Sequence, residues 1–284
     1  MNPSAPRTVP VQLAATVLEN VPIARQTWRI RLEVPSIAAL VRPGQFVMLR
    51  SETGTDPLLA RPFALYDIVR DSSGRPIAID IVYLVVGKMT TLLASLRAGE
   101  ILRVVGPLGN GFPSSGLTPT VNAVAGGIGQ TPFYAWARQL LGLEGYGGDD
   151  PIRLVDRVNL WYGVRSGAFA ACLDEFRATG LNLHLATDDG SMGYRGRITD
   201  LLRAEAPEGD LYGCGPEPML HALADLAKRW DRPCRVSLET PMACGIGICF
   251  SCVVPIRTPA GPDYKRVCLD GPVFDAADVC WESM

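Results

Sequence analysis

Cys244, Cys249, Cys252 and Cys268 crowd the C-terminal end of the chain, in the stretch MACGIGICFSCVV…RVCLDG. Four residues separate the first two, two residues the next pair, and fifteen precede the fourth. This is the spacing of plant-type 2Fe–2S sites, in which four thiolates ligate two irons. Backbone N–H groups aimed at the sulfurs offset the negative charge of such a cluster and tune its potential. Gly245 and Gly247 let the loop wrap closely with its amides inward, where a side chain is expected to crowd the cluster. A zinc site would more often show two C-x2-C knuckles, and here there is one. Disulfides are disfavoured in a cytosolic chain. Cys280 falls outside the pattern and reads as a plain free cysteine, while Cys172, Cys214 and Cys234 are scattered.

A second chemical signal lies in VAGGIGQTP, where Gly126, Gly127 and Gly129 follow an apolar strand and open a helix. Such a turn permits close backbone approach, and the helix N-terminus offers N–H groups and partial positive charge to a pyrophosphate. The run is not a G-x-G-x-x-G fingerprint, so its weight comes from its place at the head of a βαβ array. A further turn, Gly213-Cys214-Gly215-Pro216, ends a later strand. Ligands sit at the carboxyl ends of parallel strands. The Gly126 turn and Cys214 with Gly215 are therefore expected to border one cleft, with Asp188 to Ser191 nearby. A small buried apolar role is the ordinary alternative for Cys214.

The elements that must hold these residues divide along the chain. From about Val9 to Phe112, short apolar or alternating runs such as VQLAATVLENV, TWRIRLEV, GQFVMLR, FALYDIV, IAIDIVYLVV and EILRVVG are separated by Gly, Pro, Asp and Ser. That spacing predicts an antiparallel barrel or sandwich, with one helix around Thr90 to Leu96. From about Pro119, strands (VNAVAGG, VNLWYGV, LNLHLATDDG, DLYGCG) alternate with helices (PFYAWARQLL, Phe169 to Ala178, ITDLLRAEA, EPMLHALADLAKRW). The alternation implies parallel βαβ units. GLEGYGGDDP reads as a surface loop, and the chain beyond Asp231 is Cys- and Gly-rich.

Composition adds exclusions. The 284 residues are 48% hydrophobic with a formal net charge of -2, which gives no hint of a nucleic-acid or acidic-lipid partner. MNPSAPRTVP lacks the apolar run of a signal peptide, and no segment approaches the ~18 apolar residues of a membrane span. A cytoplasmic location is expected.

Taken in order, RPFALYDI, VVGKMTTLL, GPLGNGF, AGGIGQTP, WYGVRS, TDDGSMGYRGRITDLL, YGCGPEPM, SLETPMACGIGICFSC and VCLDGPVF make the chain resemble the electron-transfer subunits of type B dihydroorotate dehydrogenase, within the ferredoxin–NADP reductase superfamily. The likeness covers nearly the whole length. It implies a multidomain β + α/β protein: an antiparallel FAD-binding β-barrel (residues 8–113), a Rossmann-like nicotinamide domain (114–230) and a small C-terminal 2Fe–2S domain (231–284). The family's R-P-x-S flavin motif falls on Arg61, Pro62, Phe63 and Ala64. Its next stretches fall on Val82, Tyr83 and Leu84, then on Met89 and Thr90. A planar, permanently charged guanidinium at Arg61 suits a pyrophosphate, and a threonine opening a helix suits phosphate. The sequence departs from the family where Ala64 replaces Ser, Leu84 replaces Arg and Met89 replaces Gly. The first two remove a hydroxyl near the flavin and a charge near the diphosphate.

The resemblance further implies FAD, a 2Fe–2S cluster and NAD as redox carriers. The implied partner is an FMN-containing dihydroorotate dehydrogenase catalytic subunit in a heterotetramer. FAD would convert the paired electrons of a hydride into the single electrons a cluster accepts. No acid–base residue is needed: the histidines, His184 in a strand and His221 in a helix, read as filling. Two other readings stand beside this one. One is a related NAD(P)H reductase subunit serving ferredoxin or sulfide, although relatives of that kind often have Asp at the first ligand position. The other is a cluster-binding redox sensor whose flavin site has decayed.

Overall fold

The computed structural model describes residues 9–284 apart from 53 and 55. The start of the polar opening stretch, with the expected first barrel residue at position 8, lies outside the described residues. Strands β1 (Val11–Ala24), β2 (Thr27–Glu33), β3 (Phe46–Ser51), β4 (Arg61–Ala64), β5 (Asp67–Arg70), β6 (Pro76–Leu84) and β7 (Ile101–Leu108) form one antiparallel sheet in the order β4-β3-β7-β1-β2-β6-β5. The two edge strands are consecutive in the chain, so the sheet must curl until its edges meet. Leu65 and Tyr66 make the junction. The Leu65 N–H donates to Gln45 O at 3.1 Å on one edge, and the Tyr66 N–H donates to Asp80 O at 2.9 Å on the other. FALYDIV, expected as one strand, is thereby split at the corner of the barrel. Ala15, Val17, Ile30, Leu32, Ile79, Ile81 and Val104 fill the interior. Helix α1 (Pro35–Ala38) was not expected from the sequence, whereas α2 (Lys88–Ser95) was, two residues later.

The second sheet contains β8 (Thr120–Gly126), β9 (Arg157–Val164), β10 (Asn182–Thr187), β11 (Tyr194–Arg195), β12 (Asp210–Cys214) and β13 (Cys234–Ser237), all parallel. Helices α3 (Thr131–Leu140), α4 (Leu173–Ala178), α5 (Ile198–Glu205) and α6 (Glu217–Trp230) alternate with them. The predicted helix from Phe169 begins instead as a 3-10 turn over Gly167–Phe169. After β13 come the cysteine loop and the hairpin β14 (Val253–Thr258) and β15 (Gly261–Arg266). Then β16 (Val273–Asp275) returns antiparallel onto β13. The segment 231–284 is thus interleaved with the parallel sheet and contributes two of its seven strands.

Parallel strands buried on both faces need a device to set register. Asn122, Asn159 and Asn182 lie side by side on β8, β9 and β10. Asn159 donates to Asn122 Oδ1 at 2.8 Å, and Asn182 donates to Asn159 Oδ1 at 2.9 Å. Slipping one strand would leave buried amides unpaired, at about 1–3 kcal/mol each.

The two sheets are joined by packing and by charge. Phe46, Met48 and Leu108 of the barrel share one apolar core with Trp161, Leu220 and Val236 of the parallel sheet and with Cys252, Val254 and Val267. A polar seam adds to this. Glu175 accepts from Arg29 at 2.9 Å and from the Tyr66 hydroxyl at 2.7 Å, while Arg138 pairs with Asp67. The Tyr146 hydroxyl also donates to Asp67, at 2.5 Å. GLEGYGGDDP is therefore not wholly a surface loop, since Tyr146 is fully buried at this seam.

Candidate functional site: a two-domain cleft beside a cysteine loop

Strand polarity fixes where the site lies. β8, β9, β10 and β12 all end at the same edge of the parallel sheet, facing the barrel residues that end β6 and form β4. Between them lies a cleft of about 1090 Å³. Such a volume is at the upper end for small-molecule sites and suits large nucleotide ligands. All fourteen cofactor-binding residues expected from the sequence line it. Arg61, Pro62, Phe63, Ala64, Val82, Tyr83, Leu84, Met89 and Thr90 stand on the barrel side. Gly126, Gly127, Gly129, Cys214 and Gly215 stand on the other. Asp188 lines it as well. Asp189 instead folds the following turn, accepting from the Ser191 N–H and hydroxyl, which hold its carboxyl below the usual range.

Local hydrogen bonding modifies two expectations. Thr90 is the third residue of α2 rather than its opening. Its Oγ1 accepts from the Val86 and Gly87 N–H groups, both at 3.0 Å, and its hydroxyl donates to Gly87 O. The side chain closes the helix cap and is committed there. Arg61 is exposed and turns its guanidinium onto the Leu59 and Ala60 carbonyls. Cys214 meets the cleft, but burial pushes its thiol up to about 12, so it is a neutral group at ordinary pH.

The glycine turns are pressed together. A Cβ on Gly129 would stand 2.2 Å from Cys214 O, so the two turns touch through backbone. Gln130, beside it, is fully buried, and its carboxamide has no protein partner. Sequence reasoning missed several cleft residues: Lys88, Arg165, Arg197, Met219, Glu239 and Met242. Arg165 and Arg197 sat within quoted motifs at a strand end and a helix start, which is the signal that could have found them.

The cysteine loop adjoins the cleft. Met242 lines the cleft, and Cys244 follows two residues later. Cys252 and Cys268 are buried, Cys244 half-buried and Cys249 exposed. Among the described residues, no three His, Cys, Asp or Glu side chains converge as one ion would require. Cys249 neighbours Cys244, and Cys268 neighbours Cys252. Four thiols at this spacing, with no histidine among them, suit a 2Fe–2S cluster. Amides point at sulfur as expected: the Ile246 N–H donates to Cys244 Sγ at 3.4 Å, and the Cys268 N–H to Cys252 Sγ at 3.5 Å. Hydrogen bonding from Ser251, then from Cys244, lowers the Cys249 thiol to about 6, while burial raises Cys268 to about 12. The glycines also meet a requirement of the fold itself. Gly245 and Gly247 have φ of +73° and +83°, and a Cβ on them would strike Met48 and Leu269. These glycines press the loop onto the barrel strand β3 and onto the Cys268 segment. Cys280 is buried, and its N–H donates to Pro255 O.

Comparison with known proteins agrees with this geometry. Residues 14–112 match the oxidoreductase FAD-binding domain family, and residues 239–280 match the iron-sulfur cluster binding domain of dihydroorotate dehydrogenase B. The dihydroorotate dehydrogenase B (NAD(+)) electron transfer subunit of Geobacillus kaustophilus is 41% identical over 93% of this chain and 96% of its own length. That of Desulforamulus reducens is 32% identical over 94% and 98%. Among solved structures, an NADH-dependent reduced ferredoxin-NADP oxidoreductase matches with a TM-score of 0.76 at 27% identity, covering 94% of this chain and 90% of that one. A Plasmodium falciparum ferredoxin-NADP+ reductase, 13% identical, shares the fold at a TM-score of 0.59 over 78% and 92%. No helix among the described residues is long and apolar enough to cross a membrane.

Proposed function

The chain belongs to the family of dihydroorotate dehydrogenase B electron transfer subunits, and from that premise we propose that it carries electrons between NAD and a catalytic partner subunit through FAD and a 2Fe–2S cluster. FAD, when bound, supplies the exchange between electron pairs and single electrons. Arg61, Pro62, Phe63, Ala64, Val82, Tyr83, Leu84, Met89 and Thr90 form its cradle. Gly126, Gly127, Gly129, Cys214 and Gly215 seat the dinucleotide against it. Cys244, Cys249, Cys252 and Cys268 ligate the cluster.

One observation carries the reading. The cleft wall and the first cysteine are two residues apart, about 7 Å of extended backbone at most, so the two redox sites share a wall. Exposed Ile246, Ile248 and Phe250 surround the exposed Cys249. An apolar patch of this kind around a metal ligand favours docking of a partner that accepts or delivers electrons there. Neither histidine is placed for acid–base work: His184 stacks on Trp161 and His221 on Trp281. Oxidation of dihydroorotate to orotate is accordingly assigned to an FMN-containing catalytic subunit, assembled with this chain as a heterotetramer in the cytoplasm.

The test is a visible spectrum of the purified protein. Flavin bands with a cluster signal, both bleached by NADH, are expected. A cluster without flavin even after FAD is supplied favours the sensor reading, and zinc in place of iron overturns both.

A further inference from the structure

The departure at position 84 leaves the diphosphate of FAD short of a cation. Leu84, standing where the resemblance implies arginine, is a half-buried apolar residue paired through its backbone with Thr27. Thr90 spends its hydroxyl on the helix cap. We propose that Lys88 supplies the missing positive charge to the FAD diphosphate. This deepens the flavin reading above and rests on it.

Three observations place Lys88 there. First, it lines the same cleft, four residues beyond Leu84. Second, among the described residues that line the cleft from the barrel side, Arg61 and Lys88 carry the positive charge and no acid is among them. The acids Asp188, Glu217 and Glu239 all stand on the opposite side. Two cations with no acid beside them in the cleft lining match a doubly charged diphosphate. Third, Lys88 is the first residue of α2, and side chains on a helix tilt toward its N-terminus. Its ammonium therefore adds to the positive end of the helix dipole.

Lys88 is paired with Asp56, and both side chains are about two-thirds exposed, at 68% and 69%. A pair so exposed is weak and exchanges readily. Asp56, which is not among the lining residues, thus holds the ammonium until the diphosphate takes it over. A lysine suits this handover, because it is a compact point charge on a flexible stem.

The test uses the full chain with its flavin removed, titrated with FAD and, separately, with riboflavin, which has no phosphate. Lys88→Met should weaken FAD about tenfold or more at low salt, as expected for losing a charge-assisted hydrogen bond. The gap should narrow as salt rises, and Lys88→Arg should restore affinity. Riboflavin affinity should not change, and Asp56→Asn should tighten FAD. FAD bound by Lys88→Met as tightly as by the parent protein would overturn the proposal. So would an equal loss of riboflavin, which would mark damage to the barrel rather than a lost phosphate contact. Failure of the parent protein to bind FAD at all is a separate result, and it would end the electron-transfer reading itself.

Discussion

Gly129→Ala tests whether the cleft depends on two backbone turns held in contact. Gly129 is not in the left-handed region, so alanine introduces no backbone strain there. The added methyl would stand 2.2 Å from Cys214 O, 2.5 Å from Cys214 C and 2.8 Å from Gly215 Cα. Ordinary contact begins near 3.4 Å, so about 1 Å must be found. No flexible side chain can yield it, because every atom met is backbone. Overpacking costs about 1–3 kcal/mol where side chains give way, and the upper end applies here. With roughly 2–4 °C of Tm per kcal/mol, the melting temperature should fall by about 6–12 °C. The turns should also part, and a misplacement near 1 Å costs a reaction up to ~100-fold. Stopped-flow reduction of the flavin by NADH should therefore slow by one to two orders of magnitude, with the cluster signal intact. Gly127→Ala is the control. Its φ is +56° but nothing lies within 4 Å of the new methyl, so it pays only for the left-handed conformation, about 1–2 kcal/mol. A Gly129→Ala protein that melts within about 2 °C of the parent and is reduced at the parental rate would refute the contact between the turns.

Two other outcomes follow from the same geometry. Cys249→Ser should abolish the reduced-cluster EPR signal while NADH still reduces the flavin; a normal EPR signal in that variant would remove Cys249 from the ligand set. Burial raises Asp67 from 3.8 to about 6 despite Arg138 and Tyr146 beside it, so the folded chain keeps a proton that the unfolded chain has released. Its stabilising contribution is full below about 3.8 and is lost as pH rises through about 6. Urea midpoints compared at pH 5 and pH 7 should show this decline in the parent and a flatter profile in Asp67→Asn, and identical profiles would contradict it.

What could be read directly from the sequence is what short-range spacing encodes. The four cysteines announce a cluster because the first three ligands must come from one tight loop, so their spacing survives in the linear order. Strands of the barrel and the βαβ alternation were legible for the same reason, since side-chain periodicity is local. That the Gly126 and Cys214 turns border one cleft followed from strand polarity, which the order of elements already implied, whereas the nine barrel residues that line it came from the resemblance.

Contacts between distant segments were decided only in three dimensions. FALYDIV reads as one strand, yet Leu65 and Tyr66 break it, because the edges of a curled sheet must be joined somewhere. Tyr146 reads as a loop residue, yet it is buried against Asp67, 79 residues away. β13 and β16 are four and three residues long, too short to show a period, and only their pairing with each other and with β12 makes them part of the sheet. Thr90 loses its expected phosphate role for a related reason. The sequence shows a free hydroxyl at a helix start, but the folded helix cap already engages it. Local order specifies which groups are available; long-range packing specifies which of them are spent on the fold and which are left for chemistry.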